Sequence, residues 1–487
     1  MNQEPGPASA PAADLVIRGV TVVDTRGGSH APDQDVLIAG GRILATGPAR
    51  TLAAASGARV VNADGKYLVP GFADMHAHMP AHRTGSGTSA AFDLMLAHGV
   101  TGFRQMSGSA RMLKDRAAGT LMPAGAPRLL AMPGEVLTPL NAGTEAAAAA
   151  AIRAQHDLGA DFIKAGLVTS DVFYAAQAQA RRLGTPILGH LPRGIDVARA
   201  SGEGIQSVEH LGPGAALLAC CTASPDVRER IAGAPGTRMP ALPAFLLPVL
   251  RPVFSRIVAR LIVSPVNRSR QADVDILQQV TEAVDQDAAA ALAQRFVRDG
   301  TWQVPTLIRS RTGYLGDDPA FRDEPGLRFI APATLRRWSA AARTFGRFPA
   351  SSKQTFRAVY AAMLHLTRMF DAAGVKMLTG SDVGGAAWEV PGIALHQEFD
   401  ELASAGLPPL RILQMTTLDA AEFLGTTDVM GSVEAGKYAD LVLLDGDPVR
   451  SAANLHRISG VVRDGRYYAH ADLDAIKQNI ATRRSVR

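Results

Sequence analysis

Cysteine is almost absent from this chain. The two cysteines, Cys220 and Cys221, are adjacent in a sequence of 487 residues. Adjacent cysteines provide neither a disulfide framework nor the C-x-x-C spacing of redox and zinc motifs. We therefore predict that both are chemically inert. The 47% of hydrophobic residues indicates a globular protein that buries a large apolar core.

An excess of charge of one sign is also missing. The 50 Lys and Arg residues outnumber the 45 Asp and Glu residues by only five, since 50 − 45 = 5. Spread over this length, that excess forms no concentrated basic surface of the kind that binds nucleic acids. The start of the chain, MNQEPGPASAPAAD, lacks the charged and apolar segments of a secretory signal. This predicts a cytoplasmic protein, with prior removal of a signal peptide as the alternative.

Long uninterrupted hydrophobic runs are missing as well. Residues 241–263, ALPAFLLPVLRPVFSRIVARLIV, come nearest, but they are interrupted by three arginines and, in the middle, by Pro248 and Pro252. Such a segment is unsuited to crossing a bilayer as a helix. It has three remaining interpretations, namely a lid over a site, a contact between subunits of a homo-oligomer, and a basic amphipathic contact with a membrane surface.

Short β-like runs occur near both ends of the chain. Residues 14–68 and 426–475 contain alternating or β-branched stretches bounded by Gly, Asp and Asn. The second region includes Asp464-Gly465, a strong hairpin signal. We predict a flexible segment over residues 1–13 and one small β-sandwich domain built from both ends, with residues 69–425 inserted into it.

The inserted region alternates β-like and helical runs. A chain of this length has room for a barrel of about 250 residues with additions. Eight alternating units favour an α/β fold of the (β/α)8 TIM-barrel type over a doubly wound sheet. The eight β-like runs are Tyr67 to His78, Val100 to Ser107, Pro127 to Pro133, Asp161 to Leu167, Pro186 to His190, Ser207 to His210, Trp302 to Leu307 and Val375 to Asp382. Overlong connections at about 211–300 and 308–350 would follow barrel strands and border the mouth of a site.

Metal-ligand side chains lie at the ends of these runs. His76 and His78 are two residues apart on a strand, so their imidazoles point to the same side. Further ligand-type residues end later strands, which converge on one mouth in a barrel: Lys164, His190, His210 and Asp382. Imidazole and carboxylate are ligands suited to Zn²⁺ and other first-row divalent ions.

The same residues carry a family resemblance. The entry VPGFADMHAH, the single lysine, the two single histidines, the GSD and the closing TTLDAAEFLGTTDVMGSVEAGKYADLVLLDGDP resemble the amidohydrolase superfamily. Within it, the chain is similar to the prolidase-like and imidazolonepropionase-like metal hydrolases, which include ochratoxin amidohydrolases. The segment MPGEVLTPLNAGTE differs from the loop expected of close dipeptidase relatives, which argues against a standard dipeptide substrate.

The resemblance implies a binuclear metal centre. His76 and His78 would hold one ion, His190 and His210 the other, and a Lys164 carboxylated by CO₂ would bridge the two. Asp382 would ligate the first ion and move the proton. The ions would be Zn, with Mn, Co or Fe as alternatives, because this ligand set accepts all of them. A hydroxide between the ions would attack the carbonyl of the substrate.

Four more residues are candidates for contact with the substrate. They are His82, Arg193, Trp388 and Glu389. Each has a structural alternative: His82 and Arg193 can simply face water, and Trp388 and Glu389 can pack within their own loop.

The predicted function is hydrolysis of a C–N amide bond in a small molecule. The candidates are a peptide or an N-acyl amino acid, including hydrophobic or aromatic substrates such as ochratoxin-like amides. A cyclic amide, a carbamate or a lactone is the alternative, because the same metals would attack any of these carbonyls. A metal-holding binding or scaffold protein without catalysis is the alternative from another class.

Overall fold

A computed structural model describes residues 13–52, 57–79, 86–212, 216–233 and 262–485. Three of the sequence predictions lie outside these residues. They are the flexible segment 1–13 apart from its last residue, the substrate contact of His82, and nearly all of the apolar segment 241–263.

Strands from both ends of the chain pair in one mixed sheet. Its eight strands are β1 (Leu15–Val23), β2 (His30–Ala39), β3 (Arg42–Pro48), β4 (Arg59–Asn62), β5 (Tyr67–Pro70), β13 (Leu441–Leu444), β14 (Ile458–Arg463) and β15 (Arg466–Ala469). The order is β15-β14-β13-β5-β1-β2-β3, and β4 also pairs with β1. The antiparallel pair β5 and β13 joins the two ends of the chain. The described strands from the two ends of the chain all belong to this one sheet. A sandwich of two sheets therefore stays a prediction.

The predicted hairpin at Asp464-Gly465 is confirmed. Arg463 pairs with Arg466 across a two-residue turn between β14 and β15. Asp464 and Gly465 have φ values of 53° and 76°. Positive φ at both central positions is the requirement of the tight turn that matches the twist of antiparallel strands.

Seven buried strands in the middle of the chain form two parallel sheets. One contains β6 (Phe72–Ala77), β7 (Val100–Gln105) and β8 (Arg128–Ala131), in that order. The other contains β9 (Ile163–Ala165), β10 (Ile187–Gly189), β11 (Ile205–Glu209) and β12 (Trp302–Val304), also in chain order. Parallel strands buried on both faces are typical of α/β proteins, which agrees with the predicted class.

Isolated parallel bridges connect the edges of these sheets. Pro133 pairs with Phe162 between β8 and β9. At the other edge, the predicted eighth run is not a regular strand, but its Met377 pairs with Gln303 beside β12. The same run contacts β6, because the Met75 N–H donates to the Thr379 carbonyl at 2.9 Å. Both edges of the sheet β6–β8 are thus linked to the sheet β9–β12, at β8 by a direct bridge and at β6 through the eighth run.

The first predicted β-like run, Tyr67 to His78, is divided between two sheets. Its beginning is β5 of the terminal sheet and its remainder is β6 of the parallel sheet. The break falls at Gly71, where a Cβ atom would lie 2.0 Å from Thr101 Oγ1. The sequence showed the Pro-Gly turn, but the division follows from the close approach of β7.

Helices follow the parallel strands. They are α1 (Ser86–Ala97), α2 (Ala110–Ala117), α3 (Glu145–Asp157), α4 (Ser170–Arg182), α5 (Val197–Gly202), α6 (Ala216–Cys220), α7 (Pro225–Gly233), α8 (Gln271–Glu282), α9 (Gln286–Asp299), α10 (Leu307–Tyr314), α11 (Pro332–Phe345), α12 (Ala350–Ala372), α13 (Ile393–Ser404), α14 (Pro409–Thr416), α15 (Leu418–Phe423) and α16 (His470–Ser485). The described parts of both overlong connections are largely helical. Among the described residues, no helix combines the length and apolar character needed to cross a membrane.

His98 lies at the end of α1, away from the mouth of the parallel strands. Its Nδ1 atom is 2.8 Å from the Leu94 carbonyl, so it donates to the last turn of its own helix. Its carbonyl accepts a hydrogen bond from His396 Nε2 at 2.7 Å. Burial lowers the pKa of His98 to about 4, and the nearby charges of Lys477 and His456 act in the same direction.

We expect His98 to make the fold sensitive to acid. Its folded pKa lies below the unfolded value of about 6.5, so the unfolded chain takes up the proton first as the pH falls. The stability that His98 contributes is therefore complete above about pH 6.5 and lost between about pH 6.5 and 4. Urea unfolding across this range should show a shallower pH dependence for His98→Gln than for the wild type. His470→Gln, which alters a side chain 63% exposed, should keep the wild-type slope, and equal slopes in all three proteins would contradict the prediction.

Candidate metal centre

His76, His78 and Asp382 meet at the carboxyl end of β6. The His76 and His78 Nε2 atoms lie 3.2 and 3.1 Å from Asp382 Oδ1. One donor atom from each residue lies within 4.8 Å of those of the other two. The Asp382 N–H donates to the His76 carbonyl at 2.7 Å, which holds the aspartate beside the strand.

The other three predicted ligands lie in the same place. The ring centre of His210 is 4.6 Å from that of His76 and 5.1 Å from that of His190. Lys164 pairs with Leu188 on the next strand, two residues before His190. Its buried Nζ atom has no hydrogen-bond partner in the described part of the chain. The six predicted side chains therefore converge on one mouth.

Hydrogen bonds on the far side of two rings, those of His76 and His210, set their tautomers. His76 Nδ1 lies 2.6 Å from Glu209 Oε2, and because a carboxylate can only accept, Nδ1 carries the proton. His210 Nδ1 lies 2.6 Å from Thr306 Oγ1, whose own proton goes to the Pro305 carbonyl. A neutral ring that donates through Nδ1 has its lone pair on Nε2. The Nε2 lone pairs of His76 and His210 are thus available to a cation.

Glu209 and Arg104 form a buried ion pair behind His76. Arg104 Nη2 donates to Glu209 Oε1 at 2.9 Å, and Ser207 Oγ donates to the same oxygen at 2.7 Å. Burial alone would raise the pKa of Glu209, but the charges of Arg104 and His76 hold it well below its usual range. Glu209 is therefore a carboxylate that fixes the His76 ring.

A second buried carboxyl group holds the loop of Asp382. Asp74 accepts hydrogen bonds from the Ser381 N–H at 3.0 Å and the Ser381 hydroxyl at 2.5 Å. Burial raises the pKa of Asp74 to about 6, although both bonds to Ser381 oppose the rise. The residue before Asp382 is thus tied to the residue two positions before His76.

Burial lowers the pKa values of the candidate histidine and lysine ligands, which favours their uncharged forms. It lowers the pKa of His78, and it lowers the pKa of His190 and His210 to well below their ordinary value. It also lowers the pKa of Lys164 to about 8. For Asp382, burial acts upward, but the interactions with His210 and His76 hold its pKa well below the usual range. Neutral imidazoles beside a carboxylate form a donor set that suits a divalent cation.

Three residues of the centre or its support have left-handed backbone conformations. The φ values are 59° for His210, 45° for Thr306 and 56° for Asp382. Such values are uncommon in residues other than glycine and cost about 1–3 kcal/mol each. Strain of this kind persists where the surroundings fix a side chain in a required direction, as at a functional site.

Buried polar atoms that lack hydrogen-bond partners indicate whether this site suits cations. The unpaired buried atoms among the described residues include His76 Nε2 and Lys164 Nζ, and both belong to the predicted ligand set. An unsatisfied buried polar atom costs about 1–3 kcal/mol. Ligation by His76, and by Lys164 once it is carboxylated, would remove that cost. The residues present therefore fit divalent cations.

The three predicted substrate contacts that the structure describes lie in different surroundings. Glu389 is buried, and its Oε2 atom accepts the Ala386 N–H at 2.8 Å. Burial, followed by the charge of Asp382, raises the pKa of Glu389 well above its ordinary value.

Trp388 stacks on Phe321 in an apolar cluster. Arg193 is 42% exposed and lies 3.9 Å from Asp273. Their contacts with a substrate, like that of His82, stay predictions.

Sequence reasoning did not identify several residues that support the centre. They are Asp74, Arg104, Glu209, Thr306 and Arg309. Two had a signal: Asp74 lies two residues before His76 on the same strand and so points to the same side, and Arg104 interrupts an apolar strand. Glu209, Thr306 and Arg309 stand next to or near strand ends, where the sequence offered no reason to choose them over their neighbours.

Part of the chain is similar in sequence to known proteins. Residues 362–468 match the sequence model of the amidohydrolase family. Among curated proteins, adenine deaminase of Mesorhizobium japonicum is 40% identical over 90 residues, which is 18% of this chain and 14% of that protein. The matched part is thus a small fraction of the length of such relatives.

Solved structures share the fold over nearly the whole chain. Bottromycin amidohydrolase superposes with a TM-score of 0.68 at 24% identity, covering 98% of this chain and 91% of that one. A putative prolidase from Bifidobacterium longum gives 0.59 at 18% identity, with 96% and 100% covered. Ochratoxinase of A. niger gives 0.60 at 13% identity, with 94% and 96% covered. The likeness shows that this α/β chain has the fold of these proteins.

We expect Glu209 to determine metal affinity through His76. Glu209→Gln removes the charge that fixes the ring and leaves Arg104 buried without a counter-ion. Loss of such an indirect contact weakens metal binding about 10- to 100-fold, and breaking a buried ion pair costs about 3–5 kcal/mol. Calorimetric titration with Zn²⁺ and thermal unfolding measure the two effects.

Glu401→Gln is the matched control. Glu401 is also buried and paired with an arginine, Arg311 at 2.9 Å. This variant should lose stability but bind Zn²⁺ as the wild type does. Wild-type affinity in Glu209→Gln would contradict the assigned role.

Proposed function

We propose that this protein is a metal-dependent hydrolase that cleaves a C–N amide bond. The observation that carries the proposal is the convergence of His76, His78 and Asp382 with three further ligand-type side chains. The match of residues 362–468 to the amidohydrolase family model supports this chemistry. A protein that only retained metal would need neither Lys164 nor Asp382 in addition to the four histidines.

The proposal includes a closed (β/α)8 barrel. Linked edges on both sides of the two parallel sheets support closure into one ring of eight. Closure explains why the ligands meet, because the carboxyl ends of barrel strands surround one mouth. Residues 14–68 and 426–475 would then form a separate small β domain, and residues 69–425 the barrel.

We assign the ligands as two sets joined by one bridge. His76 and His78 would hold one ion together with Asp382, and His190 and His210 would hold the other. Lys164 would bridge them after its neutral amine has reacted with CO₂ and lost a proton to give a carbamate. The depressed pKa of Lys164 supports this step, because an uncharged amine is the form that reacts.

When bound, two divalent cations would acidify a water and polarise the amide carbonyl. Asp382 would accept the proton of the attacking water and return it to the leaving nitrogen, acting first as a base and then as an acid. Arg309, whose Nε atom is 3.2 Å from Asp382 Oδ2, would keep that carboxylate ionised and aimed into the mouth. His210 and His76 would stay fixed by Thr306 and Glu209 throughout.

The match to adenine deaminases makes deamination a second candidate reaction, because it also breaks a C–N bond. Deamination of a ring amidine, as the name adenine deaminase indicates, would use the same acidified water. That match covers only 18% of this chain, whereas the structural likeness to amidohydrolases covers nearly all of it. We therefore place amide hydrolysis first.

The first test is a metal-dependent substrate panel. Protein loaded with Zn²⁺, Mn²⁺ or Co²⁺ should hydrolyse an N-acyl amino acid or a peptide faster than a lactone, a carbamate, a cyclic amide or adenine. Treatment with a chelator should abolish turnover and restored metal should recover it. Asp382→Asn should lower kcat about 100- to 10,000-fold, since a general base is lost, whereas Asp273→Asn on the surface should retain activity. Full turnover by the metal-free protein would overturn the proposal.

The second test concerns Lys164. Metal uptake by stripped protein should be slow in CO₂-free buffer and faster after bicarbonate is added, because the bridge must form first. Lys164→Met should bind less metal and show no response to bicarbonate. Lys114→Met is the control, because Lys114 lies on α2 outside the centre, and it should respond as the wild type does. Equal uptake with and without bicarbonate in the wild type would exclude a carboxylated lysine.

A further inference from the structure

The first turn of α10 is not capped by the residue that precedes it. A threonine just before a helix ordinarily accepts a hydrogen bond from an N–H group of the first turn. Thr306 precedes Leu307, the first residue of α10, but its side chain makes no such bond. Its Oγ1 atom instead lies 2.6 Å from His210 Nδ1 and donates to the Pro305 carbonyl at 2.8 Å. The hydroxyl that would cap the helix is thus used at the candidate metal centre.

A carboxyl group from another helix supplies the missing acceptor. Glu398 lies on α13, and its Oε2 atom accepts the Ile308 N–H at 2.8 Å. The glutamate is fully buried, and its Oε1 atom has no hydrogen-bond partner among the described residues. Burial of a carboxyl group with one oxygen unpaired is costly. The proposed reaction gives Glu398 no part, so its presence here requires an explanation.

Glu398 acts as a neutral acceptor. Burial raises the pKa of Glu398 well above its ordinary value, although hydrogen bonds from the Ile308 and Leu307 N–H groups oppose the rise. The nearby charges of Glu401 and Asp74 act in the same direction as burial. A neutral carboxyl group still accepts a hydrogen bond through its carbonyl oxygen. The contact with α10 therefore requires an acceptor oxygen and not a charge.

The helix start that Glu398 holds carries a contact to each of the two ligand sets. Thr306 contacts His210 from the position before the helix. Arg309, the third residue of α10, has its Nε atom 3.2 Å from Asp382 Oδ2. The proposed function assigns His210 and Asp382 to different ions. A shift at the start of α10 would therefore displace a partner of both sets.

We propose that Glu398 is a positioning residue of the metal centre, which caps α10 in place of Thr306 and so leaves Thr306 to hold His210. This inference rests on the proposed function, since it takes the centre to bind metal. Without the Glu398 oxygen, the first N–H groups of α10 would draw the Thr306 hydroxyl back to the ordinary capping position. His210 would then lose the partner that sets its tautomer, and Arg309 would lose its alignment on Asp382.

Two substitutions separate the acceptor from the rest of the side chain. Glu398→Met fills similar space without an acceptor, and Glu398→Gln keeps an acceptor oxygen. In the metal-loaded protein, Glu398→Met should lower kcat about 10- to 100-fold on the fastest substrate of the panel, because small displacements of reacting groups cause losses of this size. It should leave KM within about 3-fold and weaken Zn²⁺ binding in calorimetry at least about 10-fold. Glu398→Gln should retain the wild-type values.

A spectrum distinguishes positioning from stability. The visible absorption of bound Co²⁺ depends on its ligands and their geometry, so Glu398→Met, measured well below its unfolding temperature, should differ from the wild type and from Glu398→Gln. Asp285→Ala is the matched control. Asp285 Oδ1 accepts the Ala288 N–H at 2.8 Å in the first turn of α9, which contributes no residue to the centre. This variant should lose thermal stability but keep the wild-type spectrum, kcat and Zn²⁺ affinity.

A double-mutant cycle tests whether Glu398 acts through Thr306. Thr306→Val removes the hydroxyl that contacts His210. If the two residues act through the same contact, the loss of Zn²⁺ affinity in the double variant will be smaller than the product of the two single losses. A loss equal to that product would contradict the proposed route.

The outcomes separate this inference from the proposed function. A folded Glu398→Met with the wild-type affinity and spectrum would overturn the inference, and so would an equal loss in Glu398→Gln, which retains the acceptor. If Glu398→Met does not fold, Glu398→Asp, whose carboxyl group is one methylene shorter, takes its place with the same expectations. Failure of the wild type to hydrolyse any panel substrate would count against the proposed function alone, because the titration and the spectrum do not depend on turnover.

The metal-free protein gives a readout that needs no metal. In NMR spectra of protein labelled with ¹⁵N-histidine, the Nδ1 proton of His210 should be observed in the wild type and in Glu398→Gln, because Thr306 accepts it. It should exchange with solvent and be lost in Glu398→Met. If the wild type bound no Zn²⁺, the proposed function would fail, and an unchanged His210 signal in Glu398→Met would overturn the positioning role as well.

Discussion

The structure depends on one buried carboxylate. Glu209 is fully buried between the Arg104 guanidinium and the His76 ring, and it receives a hydrogen bond from each. Its charge is tolerable there only because Arg104 compensates it, since an isolated buried charge costs several kcal/mol. In return, the carboxylate decides which nitrogen of His76 carries the proton. The chemistry available at the mouth is thus set from behind the ligands, at an ion pair in the core.

Other buried groups orient the candidate ligands in the same way, through hydrogen bonds from behind. Thr306 sets the tautomer of His210, and Asp74 ties Ser381 and hence the Asp382 loop to β6. Glycines bring the backbones close enough for this: a Cβ at Gly189 would lie 2.3 Å from the Ala165 carbonyl oxygen, between the strands of His190 and Lys164. The left-handed backbone at His210, Thr306 and Asp382 is the strain that this arrangement carries.

Sequence reasoning identified the side chains that meet at the mouth, because their signal is local. Two histidines separated by one residue on a strand share a side, and single polar residues at strand ends stand out against apolar runs. It also predicted the Asp464-Gly465 hairpin, whose backbone requirement rests on two residues. It missed the partners behind the ligands, since Glu209 and Thr306 gain their roles from residues 133 and 96 positions away. It treated Tyr67 to His78 as one strand because nothing local shows that β7 approaches Gly71.

The two oxygens of Asp382 face different charges, and this asymmetry connects the centre to its surroundings. Oδ1 is shared by His76 and His78, whereas Oδ2 is held by Arg309. A carboxylate placed between a cation site and a guanidinium cannot lose one partner without changing its interaction with the other, because both stabilise the same negative charge.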